Sequence, residues 1–221
     1  MAVPSSGGDR LRRLEELDVT EAELQESAFI GCTAAAGCTS NDPRSLPGTI
    51  AWGKTIAHLR DVKKVDGWLA NRDWNFETVV HPSRSHAIAV AAGTPPTGRR
   101  EGAVPRTRTP KGEVTSRRVD RNAQLSLGDG TNVFVGPGIG PAIDEVIGEV
   151  GETWMYLHYF DKRAEEIRLE LSLPLEMRGK QITAWRERII IGAVPFAADL
   201  EIALGLDDDA PIDIDIARKA D

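Results

Sequence analysis

The residues able to do chemistry are few and scattered. Cys32 and Cys38 lie six apart, and with His58 they would give three of the four ligands of a structural zinc site. Common zinc modules space their paired cysteines more tightly. No base lies close in sequence to activate either thiol. The expectation is two small cysteines packed in a core. His81 and His86 flank a turn, and His158 sits in an aromatic run. A Ser/His/Asp grouping is open to them, but no G-x-S-x-G marks a nucleophile. GPGIGP at 136–141 has neither the Gly-Lys-Ser/Thr ending of a P-loop nor the order of a dinucleotide loop. Its prolines remove backbone donors a phosphate would use, so it reads as a turn. Asp213 and Asp215 fall on one strand face and could hold a metal. Beside Asp207, Asp208 and Asp209 they read instead as an acidic edge that discourages strand addition. Glu170 and Glu187 read as outward-facing strand residues. No catalytic residue, metal or cofactor is assigned.

Charge gives the one pointer to a partner. The net charge is −7, yet residues 99–121 hold eight basic side chains against three acidic ones, while 197–221 hold eight acids and two bases. A Lys/Arg cluster supplies the salt-sensitive, sequence-independent part of nucleic-acid binding. The residues expected to do this are Arg99, Arg100, Arg106, Arg108, Lys111, Arg117 and Arg118. No aromatic residues interleave for base stacking, and no recognition-helix module is present. The bland alternative is a solvated loop, or one folded back on the acidic tail.

These residues must be positioned by regular elements. Residues 152–194 read as three strands in a row. Trp154 to Phe160 is aromatic-rich, and a charged turn follows at 161–166. Ile167, Leu169, Leu171 and Leu173 then alternate with Arg168, Glu170 and Ser172, which predicts one core face and one wet face. A turn at 177–180 leads to a third run, 182–191. Upstream the period is helical. Leu11, Leu14 and Leu17 share a face, and Thr20 with Glu23 forms a capping box that should open a second helix running to about residue 36. Trp52, Ile56, Leu59 and Val62 mark a third helix over 49–62. Residues 76–80 and 87–92 predict a hairpin, 93–112 a long exposed loop, and 114–123 a short helix. Strand character appears at 125–135 and 212–216, and a mild helical pattern at 142–150. Helices first and strands afterwards predict a single α+β domain, 9–221, behind a flexible lead at 1–8. Its N-terminal helices pack on one side of a mainly antiparallel sheet with a long basic loop.

At 221 residues, 41% hydrophobic and 28% charged, the composition is that of an ordinary globular protein. No apolar run has the ~20 residues of a membrane helix, so no membrane partner is expected. The N-terminal stretch lacks the apolar segment of a secretory signal, and two cysteines suit a reducing, cytoplasmic setting. The stretches PGTIAWGKTIAHLR (47–60), HAIAVAAGT (86–94), TPKG (109–112), LELSLP (169–174) and WRERIII (185–191) together resemble a set of small uncharacterised bacterial proteins encoded on plasmids and integrative elements. The resemblance implies an accessory protein of a mobile element and carries no catalytic residue with it. The leading expectation is a non-enzymatic protein that binds nucleic acid or a nucleoprotein complex through the basic loop. A second is an enzyme with a polar cleft under residues 93–112, where His86, His158 or Lys111 would act. A third is a scaffold subunit of a homo-oligomer built through an exposed strand of the 152–194 sheet.

Overall fold

A computed structural model describes residues 1–4, 6–72, 76–126 and 150–196. The GPGIGP turn, Asp213 and Asp215 and the rest of the acidic tail lie outside the described residues, as do the strand expected at 212–216 and all but the ends of the elements expected at 125–135 and 142–150. Residues 125 and 126, expected in a strand, end a helix. Three helices come first. Helix α1 (Gly7–Glu16) is capped by Ser6, whose hydroxyl accepts from the Asp9 amide. Helix α2 (Glu21–Ala35) opens on the full capping box of Thr20 and Glu23, as the spacing predicts. Helix α3 (Leu46–Lys64) has a proline in its first turn and Lys63 and Lys64 in its last, each at the end where it fits. Helices α2 and α3 touch at Gly31, where a Cβ would stand 2.6 Å from the Ala51 carbonyl oxygen and closer still to Thr55 Oγ1.

The sheet has six strands in chain order: β1 (Leu69–Asn71), β2 (Thr78–Val80), β3 (His86–Ala92), β4 (Glu152–Asp161), β5 (Glu166–Arg178) and β6 (Gln181–Pro195). Every neighbouring pair is antiparallel except β3 with β4. A parallel pair needs a crossover connection, and helix α4 (Glu113–Ser126) lies in it. This is an α+β fold. On one sheet face Trp154, Tyr156, Leu169, Leu171 and Ile189 pack with Leu24, Ala28 and Leu59 of the helices. The Tyr156 hydroxyl donates to the Leu24 carbonyl at 2.7 Å, pinning α2 to β4.

The opposite face differs from the sequence expectation. It is not wet. Helix α4 lies against it, and Val119 joins Ala89, Ala91, Met155, Leu157, Ile182 and Trp185 in a second core. Asn122 ties α4 down by exchanging bonds with both backbone groups of Thr153 and donating to Pro174 O. Arg168, Glu170 and Ser172, read as a solvent row, are all buried. Glu170 is 0% exposed and accepts from Arg188 Nε at 3.1 Å and Nη2 at 2.5 Å, from the Ser172 hydroxyl and from the Gly98 amide. Glu187 is half-buried and paired with Arg13 at 2.8 Å.

The cover over this face is the segment expected to be an exposed loop. Thr97 and Thr107 within it are fully buried. Arg188 also donates to Arg99 O, and the Trp185 indole donates to Pro105 O. Residues 106–111 then run between two strands. Thr94 N–H donates to Arg106 O and Arg108 N–H to Ala92 O, while Thr107 N–H donates to Ile182 O and Lys111 N–H to Lys180 O. This segment therefore joins the end of β3 to the start of β6, and the curled sheet closes through it. Removing the Glu170 charge should leave Arg188 buried without its partner. Glu170→Gln is expected to lower stability by about 3–5 kcal/mol, with Glu170→Gln/Arg188→Met less damaged than the single change. Urea unfolding of the two variants checks this, and a single-variant loss below about 1 kcal/mol would contradict the pair's role.

Candidate functional site

Strand β2 pairs with β3 only as far as Thr78 opposite Ala89. Beyond that point β3 has an open edge, and its backbone acceptors find other partners. The Trp52 indole N–H of α3 donates to Val90 O at 3.1 Å, and Arg108 N–H takes Ala92 O at 2.8 Å. Between these two supports lies a cavity of about 420 Å³. One wall is the start of α3 with Trp52, another is residues 108–112, and the floor comes from β3 and from Met155, His158 and Phe160 of β4. Phe76 closes the side next to β2. The size suits a small organic ligand, and the walls are mainly apolar.

His158 and Lys111 are among the polar side chains of the lining. His158 is 3% exposed, its ring lies 5.2 Å from that of Phe160, and its Nδ1 has no hydrogen-bond partner. Burial, and secondarily the Lys111 charge, pushes its pKa down to about 4, so the imidazole is neutral at pH 7. Lys111 lines the same cavity, and burial lowers its ammonium to about 8. Its Nζ is 3.2 Å from Thr109 Oγ1, and no carboxylate pairs with it among the described residues. Arg108 and Lys162 add positive charge to the lining. Glu77, the acid in the lining, is engaged by Arg60 at 2.6 Å. The cavity is thus apolar with a cationic bias, which suits a ligand with an apolar body and an anionic or hydrogen-bonding head.

The residues expected to bind a macromolecule do not form one surface. Arg99, Arg100 and Arg106 are exposed. Arg99 reaches Asp161 at 3.5 Å and Arg100 donates to Pro4 O. Arg108 and Lys111 belong to the cavity lining. Arg117 sits on α4 beside Glu113, and Arg118 is buried with its guanidinium 6.0 Å from the centre of the Phe76 ring. Of the three residues named for the enzyme reading, His158 and Lys111 come together and His86 does not.

His86 is structural. Its Nε2–H donates to Leu17 O at 3.0 Å, Nδ1 faces the Ser85 hydroxyl, and its ring stacks on His81. His81 Nδ1 faces the Ser83 hydroxyl at 2.7 Å, and Asp18 lies 3.7 Å from its Nε2. This Ser/His/Asp line stands on the exposed β2–β3 turn, where the Ser83 amide also donates to His81 Nδ1. It therefore acts as a turn cap. Cys32 and Cys38 are free and buried, and burial pushes the Cys32 thiol up to about 12, leaving it inert. His58 Nδ1 faces Ser27 Oγ. No group of three or more metal-ligating side chains occurs among the described residues, and no described helix is long and apolar enough to cross a membrane.

Trp52 and the β4 aromatics were legible as core residues but not as cavity walls. Phe76 and Lys162 gave no signal of their own, because the cavity exists only where β2 stops short of β3. His86 and His158 are held neutral, near 4, by burial against an ordinary value of 6.5. The unfolded chain then binds protons that the native state refuses, so stability is expected to fall as pH drops from about 6.5 to about 4, by up to about 3 kcal/mol for each histidine. Urea midpoints across this range check it. His158→Phe should flatten the fall, and an unchanged slope would contradict the assignment. Comparison with known proteins finds no matching family model, no similar curated protein and no similar solved structure.

Proposed function

We propose that the protein binds a compact amphipathic small molecule, with an apolar or aromatic body and a carboxylate head, in the cavity between α3, the open edge of β3 and residues 108–112. The observation that carries this reading is Lys111. It is a cation in an apolar cavity with no carboxylate partner among the described residues, and it shares that cavity with the unpartnered His158 Nδ1. Polar groups set in an apolar wall gain from a ligand that completes their hydrogen bonding. A carboxylate would meet the ammonium, and Trp52, Phe76 and Phe160 would cover the body.

The macromolecular reading retains the exposed Arg99, Arg100 and Arg106, carried on one tethered segment. It loses Arg118 to the interior and Arg108 and Lys111 to the cavity lining. A salt-sensitive contact through three arginines would be weak and would leave the cavity without a purpose, so the small-molecule reading stands first.

The test is calorimetric titration with 4-phenylbutyrate and with its uncharged amide. A charge-assisted hydrogen bond contributes about 1.5–3 kcal/mol, so the acid should bind at least about tenfold more tightly. The preference should fade above pH 8 or so, where the Lys111 amine loses its proton, and it should vanish in Lys111→Met. Equal binding of acid and amide, or a preference that survives in Lys111→Met, would overturn the proposal.

A further inference from the structure

We infer that Lys111 is also a nucleophile that captures carbonyl compounds: an aldehyde with an apolar body, seated in the same cavity, forms an imine with its Nζ. This rests on the small-molecule reading above and adds a covalent step to it. The amine's environment is the first argument. Its nearest polar partner is the Thr109 hydroxyl, which does not hold a proton on nitrogen as a carboxylate would. Phe76, Met155 and Phe160 supply the apolar wall that favours the uncharged amine. Desolvation brings the ammonium to about 8, so about a tenth of the chains carry the free base at pH 7.

The second argument is presentation. The backbone beneath the amine is not a swinging loop. Lys111 N–H is bonded to Lys180 O at 2.6 Å and the neighbouring Arg108 N–H to Ala92 O at 2.8 Å, so the side chain projects from a point fixed between β6 and β3. With the backbone fixed, only the side chain's own freedom is lost on attack.

The step balances without an oxidant or a second substrate. The Nζ lone pair attacks the carbonyl carbon, and the π pair of the C=O moves to oxygen. One proton passes from nitrogen to that oxygen, giving a carbinolamine. The C–O bond then breaks, a second proton from nitrogen joins the departing hydroxyl, and the products are the imine and one water. The Thr109 hydroxyl, 3.2 Å from Nζ, is the polar group beside the reacting nitrogen, and water carries the protons.

The experiment uses the full chain with 3-phenylpropanal and cyanoborohydride, read by peptide mass spectrometry. At pH 7 Lys111 should be alkylated at least about tenfold faster than the exposed Lys54 and Lys64. Its rate should level off above pH 8 or so, while theirs keep rising, and 4-phenylbutyrate should slow Lys111 alone. Selective, acid-protected labelling supports both the inference and the binding reading. Acid binding without selective labelling overturns the inference and leaves the binding reading in place. Absence of both effects overturns the two together.

Discussion

The structure depends on one buried ion pair. Glu170 of β5 and Arg188 of β6 meet diagonally across the two strands, Arg188 standing opposite Ser172, at 0% and 1% exposure. Taking two charges out of water costs several kcal/mol per ion, and attraction offsets this only when the remaining hydrogen-bonding capacity is filled. Here it is filled by the Ser172 hydroxyl, the Gly98 amide and the Arg99 carbonyl. Two of those three groups belong to the segment after β3, so satisfying the pair means folding that segment onto the sheet. At Gly98 the fit is close. Its φ is +73°, and a Cβ there would meet the Arg168 Cβ at 2.9 Å.

Beyond residues 97–99 the chain returns along the sheet. Pro105 lies under Trp185, and residues 106–111 fill the gap between β3 and β6. The same geometry creates the cavity. Strand β2 covers the first half of β3 and stops, α3 reaches over with Trp52, and residues 108–112 come up on the other side. Lys111 is carried on the same segment that completes the distant Glu170–Arg188 pair. Burial there disfavours the ammonium and lowers its pKa.

What was legible in the sequence was local. The capping box of Thr20 and Glu23, the aliphatic row at 167, 169, 171 and 173 and the hairpin around residues 81–85 rest on short-range spacing, and the structure keeps each of them. The polar half of the alternation is covered by protein rather than water, for a physical reason invisible in local spacing. Arg168, Glu170 and Ser172 show the same period whether water or protein lies over them, and the cover comes from about seventy residues earlier. The parallel pairing of β3 with β4 and the order in 93–112 were hidden in the same way, since both depend on contacts far apart in the chain. The basic count at 99–121 was correct as composition. It could not tell an exposed Arg100 from a buried Arg118, because burial is set by where α4 lands.

The central claim is that the cavity beside β3 is the working site and that Lys111 reads its ligand. The most direct measurement is a crystal structure of the protein soaked with 4-phenylbutyrate. The account predicts the carboxylate at hydrogen-bond distance from Lys111 Nζ and the phenyl ring among Trp52, Phe76 and Phe160. A ligand bound against Arg99, Arg100 and Arg106 with the cavity unchanged would contradict it.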